Sequence, residues 1–201
     1  MSKLNVDAVE PSSATTLTLG ASGDTIDVPS GATLDVTGAT VSGLSAGKVL
    51  QVVNATKSDT ASTNSGTAVA TGLSASITPS STSNKVLVMV SFSYSSGADV
   101  NASFQLYRDS TAIHLADAAS NRVRTSVGTL YQAATAANMH NGSINSLDTP
   151  SSTSSITYAL YYFRGYGGSS NYVYFNRSSG DSDNNAYKRA ISSITLMEIE
   201  A

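Results

Sequence analysis

Cysteine is absent from this 201-residue chain. Neither disulfides nor thiolate metal sites can therefore contribute to its fold or chemistry. Tryptophan is absent as well, and there are two histidines, His114 and His140. Charge is scarce: Asp, Glu, Lys and Arg make up 12% of residues, and the net charge is −3. Lys and Arg form no patch, which argues against nucleic acid as a partner, because phosphate neutralisation needs grouped cations. No run approaches the roughly 20 apolar residues of a membrane-spanning helix. The opening Met1-Ser-Lys-Leu-Asn-Val6 carries no apolar signal region, so synthesis in a cytoplasm with no membrane partner is expected.

Catalytic signals are thin. No P-loop or zinc-ligand spacing is present, and no nucleophile elbow is expected. His114 falls in a hairpin arm and His140 beside a polar stretch. Serine is so abundant that a Ser near a His in space would be coincidence. The expectation is a protein with no catalytic residues, no metal and no cofactor.

What is there is Ser, Thr, Gly and Ala, with 40% hydrophobic residues gathered into short runs. A disordered Ser/Thr-rich chain is one reading of such a composition. Clustering of Val, Ile, Leu and Tyr favours a folded one, and the length suits one or two domains.

Residues 1–46 differ from the rest. One Lys stands against five acids there, a net of −4, which leaves +1 for the remainder of a chain totalling −3. Leu17-Thr-Leu19, Ile26-Asp-Val28 and Leu34-Asp-Val36 recur every eight or nine residues, with glycines between them. These read as very short strands joined by glycine-permitted turns. A strand that buries two side chains cannot hold itself together. Stacking on other copies of the chain would stabilise it, so Leu17, Leu19, Ile26, Val28, Leu34 and Val36 are the expected stalk contacts of a homotrimer. A flexible tail is the alternative.

From residue 47 the runs lengthen. Lys48–Val53 reads as a strand, as do Thr67–Thr71, Leu73–Ile77 and Lys85–Tyr94, the last with Val86, Val88, Val90 and Phe92 on one face. Ser103–Arg108 and Ala112–Leu115 have hairpin grammar across Asp109-Ser-Thr111. Arg122–Val127 and Thr129–Ala136 read as a further strand, and 141–155 as a polar loop. Ile156–Phe163 is expected to return through Gly165-Tyr-Gly-Gly168 to pair with Tyr172–Asn176. Ile191–Ile199 closes the sheet, Ile194 and Leu196 alternating with Thr195 and Met197. Eight or nine strands at this spacing predict an all-β fold, an antiparallel β-sandwich of jelly-roll type. The division is a stalk over 1–46 and a sandwich head over 47–201.

The order Leu147-Asp-Thr-Pro150, Ile156-Thr-Tyr158, Tyr174-Phe-Asn-Arg177, Asp181-Ser-Asp183, Ser192-Ser-Ile-Thr-Leu-Met-Glu-Ile199 resembles the C-terminal domain of bacteriophage fibre-like structural proteins common in phages of marine bacteria. Upstream, Gly72–Pro79 and Ser83–Val88 are similar to the opening of that domain, so the likeness spans roughly 48–201. It implies a non-enzymatic virion component whose acidic N-terminal segment joins other virion proteins and whose head meets the host surface. A free-standing carbohydrate-binding module is the alternative. A glycan depolymerase is a third, but it needs a carboxylate pair at a defined separation, and the head offers none.

The candidate ligand or receptor contacts are Tyr166, Tyr172, Asp181 and Asp183. Tyr166, in a glycine-rich loop, suits stacking on a host-surface glycan. Asp181-Ser-Asp-Asn-Asn185 spaces its oxygens as a calcium loop does, but Ala186 stands in place of the turn glycine and Ser192 in place of the bidentate Glu. Seven of the ten tyrosines lie from Tyr158 onward. Both faces of Ile156–Phe163 are apolar, so both are expected to be covered, by core or by a neighbouring subunit.

Overall fold

Alternation of small polar and β-branched or aromatic residues makes the strands of this chain, since such side chains fit a half-buried pleated surface. The computed structural model describes residues 25–33, 47–129, 136–168 and 170–201. The chain divides into two units, Met1–Leu44 and Ser45–Ala201.

In the first unit, Ile26 and Val28 are exposed and belong to no strand, and Ala32 N–H donates to the Pro29 carbonyl across a turn at Gly31. The expected strand doublet at Ile26–Val28 is therefore not formed in the single chain. Leu17, Leu19, Leu34 and Val36 lie outside the described residues.

The second unit holds eleven strands, with no helix among the described residues. In chain order they are β1 (Val49–Lys57), β2 (Ala61–Thr63), β3 (Val69–Ile77), β4 (Lys85–Ser96), β5 (Asn101–Arg108), β6 (Thr111–Ile113), β7 (Val127–Gly128), β8 (His140–Asp148), β9 (Ile156–Tyr166), β10 (Val173–Phe175) and β11 (Ser192–Ile199). All pairings between them are antiparallel.

The pairs are nested: β1 with β11, β3 with β9, β4 with β8, β5 with β6. That is one long hairpin, tipped at Asp109–Ser110, whose successive rungs fall alternately in two sheets. Rolling it up adds the cross-pairs β11–β4 and β9–β5. The first sheet then runs β1-β11-β4-β8, with β10 and β2 continuing beside the far end of β4. The second runs β3-β9-β5-β6, with β7 also on β5. This is the jelly-roll sandwich the sequence predicts.

Between the sheets lie Val86, Val88, Val90 and Phe92 of β4, Ile194 and Leu196 of β11, and Tyr158, Leu160 and Tyr162 of β9, all buried. Each contributes about 2 kcal/mol by leaving water. Phe92 packs 4.5 Å from Phe104 between ring centroids, and Tyr94 4.8 Å from the same ring.

Four expectations are corrected. The polar stretch 141–155 is not all loop, because its first part forms β8. Its inward positions are Gly142, Ile144 and Ser146, and a Cβ at Gly142 would lie 2.3 Å from the Phe92 ring. A ring fills the space where an apolar side chain would have announced the strand. Secondly, β9 and β10 do not pair: the chain crosses between sheets after Gly165–Gly168, and β10 joins β4 and β2. Thirdly, Thr67–Thr71 and Leu73–Ile77 merge into β3, kinked where Gly72 takes φ 86°. Fourthly, of Arg122–Val127 only Val127 is in a strand, the two-residue β7; Thr129 follows that strand, and 130–135 lie outside the described residues.

Two polar clusters, one half-buried and one buried, lock the roll. Asp148 of β8 accepts both guanidinium bonds of Arg108 at 2.9 and 3.0 Å and the Tyr158 hydroxyl at 2.6 Å, tying one sheet to the other. Burial first, and then this bond, push the Tyr158 hydroxyl pKa up. Glu198 of β11 points inward with no cation beside it. Burial alone would raise its pKa, but donors from Gln51, Asn84, the Ser80 hydroxyl and the Ser80 N–H, at 2.5 to 2.7 Å, hold it at about 2.

Candidate functional site

Tyr166 ends β9, and a β-bulge sets its direction. The pairing steps from Asn101↔Tyr166 to Ala102↔Arg164, leaving Gly165 as the extra residue. Glycine is required there, because a Cβ would stand 2.3 Å from the Ser103 hydroxyl. Gly167 follows at φ 118°, where a Cβ would meet the Asp99 carbonyl at 2.4 Å. The bulge re-aims the side chain outward, and Tyr166 is 67% exposed.

The ring borders a cleft of about 570 Å³ lined by Gly66, Asp99, Arg164, Gly165 and the 166–168 turn. Arg164 is fixed there, its N–H donating to the Ser65 carbonyl at 2.8 Å and its Nε to the Asn64 carbonyl at 3.2 Å. Asp99 is exposed and stands at φ 58° in a turn pinned from the other side: Gly97 N–H donates to Tyr172 O, and Asn171 Nδ2 to Ala98 O, both at 2.8 Å. An exposed ring flanked by a carboxylate and a guanidinium can stack on a flat apolar face and bond hydroxyls at its edges. Asp99 was not legible as a neighbour of Tyr166, since it comes from the turn between β4 and β5; Arg164 stands two residues before Tyr166 on β9 and was not singled out.

The other candidates gather elsewhere. Tyr172 stacks on Tyr174 with centroids 6.1 Å apart, and the Arg177 guanidinium lies 4.3 Å from the centre of the Tyr174 ring. Asp181 accepts Arg189 Nε at 3.1 Å and Arg189 Nη2 at 3.0 Å, with Arg177 at 3.6 Å. These bonds from Arg189 first, and then both positive charges, hold its carboxyl below the usual range. Asp181 is thus occupied by two cations of the chain itself, and a calcium ion would have to displace them. Asp183 is exposed in a shallow cleft of about 340 Å³ beside Asp181 and Arg189. No group of three His, Asp or Glu able to hold a metal occurs among the described residues. The two clefts described beside Tyr166 are lined by neither Tyr172, Asp181 nor Asp183.

Sequence reading also missed Asn176, a buried residue at φ 59°. Its side chain donates to the Lys57 and Asp59 carbonyls and accepts the Ser192 hydroxyl at 2.5 Å, closing the loop between β10 and β11. Burial removes the Asn176-Arg-Ser178 glycosylation sequence from reach. Gly43-Leu-Ser45-Ala-Gly47 does spell the Gly-x-Ser-x-Gly pattern. A nucleophile elbow needs a helix after the serine, and here β1 follows two residues beyond Gly47, the one described member of the five.

No family model matches the chain, and no curated protein matches it. Among solved structures, one described as the infectious bursal disease virus Gx strain is similar at 14% identity and a TM-score of 0.37, over 74% of this chain and 40% of that one. The VP2 subviral particle of infectious bursal disease virus is similar at 12% identity and a TM-score of 0.37, over 75% and 41%. The chain thus matches about two fifths of the length of these solved chains.

Proposed function

We propose that this chain is a non-enzymatic structural protein of a phage virion, a fibre, spike or capsid decoration built from three copies. One observation carries the reading. The ordered segments that resemble phage fibre-like proteins fall on consecutive pieces of one roll: the end of β8, then β9, β10, the loop after it, and β11. Jelly rolls recur in capsid domains, though a fold alone names no function. The acidic segment 1–46 would join other virion proteins and the head would face outward, the protein being made in the bacterial host's cytoplasm and leaving on the particle. Mass spectrometry of purified particles tests this. Peptides of this chain at fixed copy number relative to the capsid protein support it, and their absence overturns it. A chain beginning at Ala46 is expected to keep the roll and fail to join particles.

A second reading, a carbohydrate-binding module, is favoured by the Tyr166 ring between Asp99 and Arg164. Loss of binding to immobilised host polysaccharide in Tyr166→Ala, with the melting temperature unchanged, would favour it. Equal binding by both forms would remove Tyr166 from the contact.

A further inference from the structure

The outer face of the first sheet changes character along its strands. At one end, Val52, Met197, Leu87 and Leu147 stand in register straight across β1, β11, β4 and β8. Val52 is 57% and Leu147 55% exposed. The next outward row is Asn54, Thr195, Met89 and Asn145, and the one beyond it is Thr56, Ser193, Ser91 and Ser143. One face therefore grades from four apolar side chains to four hydroxyls within two rows. The hydroxyl end is suited to water; the apolar end is not, and nothing among the described residues covers it.

We propose that this apolar row is the surface through which a second copy of the chain packs against the head. Two observations favour a like copy as the occupant. The row spans four strands about 5 Å apart, broad enough for another apolar sheet face to pack on it. Its rim carries both signs of charge: Lys48, Lys85 and Glu200 are exposed and make no ion pair among the described residues, so a lysine of one copy can meet the glutamate of the next. The three-copy assembly proposed above supplies the neighbouring copies, and in this the inference rests on it.

Light scattering on the full chain is the test. The wild type is expected above the 20.6 kDa of one chain. Val52→Glu with Leu147→Glu should weaken association at least tenfold, while Ser91→Glu with Ser143→Glu, two rows away, should leave the mass unchanged. A monomeric wild type at tens of micromolar overturns the inference. So does an apolar-row variant that keeps the wild-type mass, or a hydroxyl-row variant that dissociates equally. A second measurement does not depend on the double variant folding. The chain has no cysteine, so Leu147→Cys supplies one thiol, whose reaction with a disulfide reagent should slow at least tenfold from nanomolar to high micromolar protein. A rate independent of concentration overturns the inference, and Ser143→Cys is the control. Absence of the protein from particles would sink the virion reading and leave these measurements standing, whereas a monomer found in particles would sink this inference and the three-copy assembly and leave the virion location standing.

Discussion

The outer faces of the two sheets both carry large side chains and treat them oppositely. On the second sheet, Tyr161 of β9 stacks on Tyr107 of β5 at 3.9 Å between centroids, and Phe163 on the same face is only 5% exposed within the single chain. Ser76 and Thr157 bond each other at 2.8 Å beside them. On the first sheet, the Val52 to Leu147 row has no such cover. An apolar residue on an outward position thus says only that something covers it. Whether the cover is the chain itself depends on what lies one strand over, which alternation along one strand does not encode. Covered faces on Ile156–Phe163 pointed to core or subunit contact, and the structure covers that strand from within; the bare surface is on the opposite sheet.

The sharpest way to break the comparison is to test inside against outside on one strand. Val88→Asp puts an unpaired charge at a position with no exposure and should cost about 4 kcal/mol or more. Lys85→Asp on the same strand should cost a few tenths. If the two melt together, the faces of β4 are assigned wrongly.

Glu198 probes whether a charge on the dry face is held by its donors. Lowering its pKa from 4.5 to about 2 corresponds to about 3 kcal/mol. Because the folded-state value is the depressed one, this stability is present above pH 4.5 and is lost as pH falls toward 2. Urea unfolding of Glu198→Gln should show roughly that loss at pH 7 and a flatter profile between pH 5 and 2. Parallel profiles for the two forms would mean that the donors contribute little.

Gly142→Ala should cost about 1–3 kcal/mol by forcing the Phe92 ring aside, whereas Gly66→Ala, whose Cβ would meet nothing closer than 3.9 Å, should cost less than 1. The smallest effect separates the two outer faces directly. Tyr161→Ala should lose about 1 kcal/mol of stacking in addition to buried area, measured by thermal melting at dilute protein. Val52→Ser should lose under 0.5 in dilute solution. A Val52→Ser loss that grows with protein concentration would sharpen the contrast, because it would register association rather than folding.

How much of this was legible turns on where the cover comes from. β4 and β11 were readable because Val86, Val88 and Val90, and Ile194 and Leu196, supply their own apolar face. The parity of that second run also put Glu198 on the dry side, a signal that could have flagged the buried carboxylate. β8 was illegible because a neighbouring ring occupies its inward glycine. The β9–β10 hairpin was misread because Gly165–Gly168 has hairpin composition, while its glycines are there for a bulge and for close approach to Asp99. The exposure of Tyr166 was readable from its glycine neighbours alone. The cations around Asp181 were not, since Arg177 and Arg189 are brought together by a bridge between two loop strands.

The nesting of strand pairs has a consequence in time. β1 has one strand partner, β11, and Val49 faces Ile199. The first strand of the sandwich to leave the ribosome therefore waits for that partner until nearly the whole head has been synthesised, while β5 and β6 can close within a few residues of each other. Closure of such long loops comes late and slowly. During that wait the bare edge and apolar side chains of β1 are open to the strands of other nascent chains, so the order of synthesis sets when the head is most exposed to aggregation.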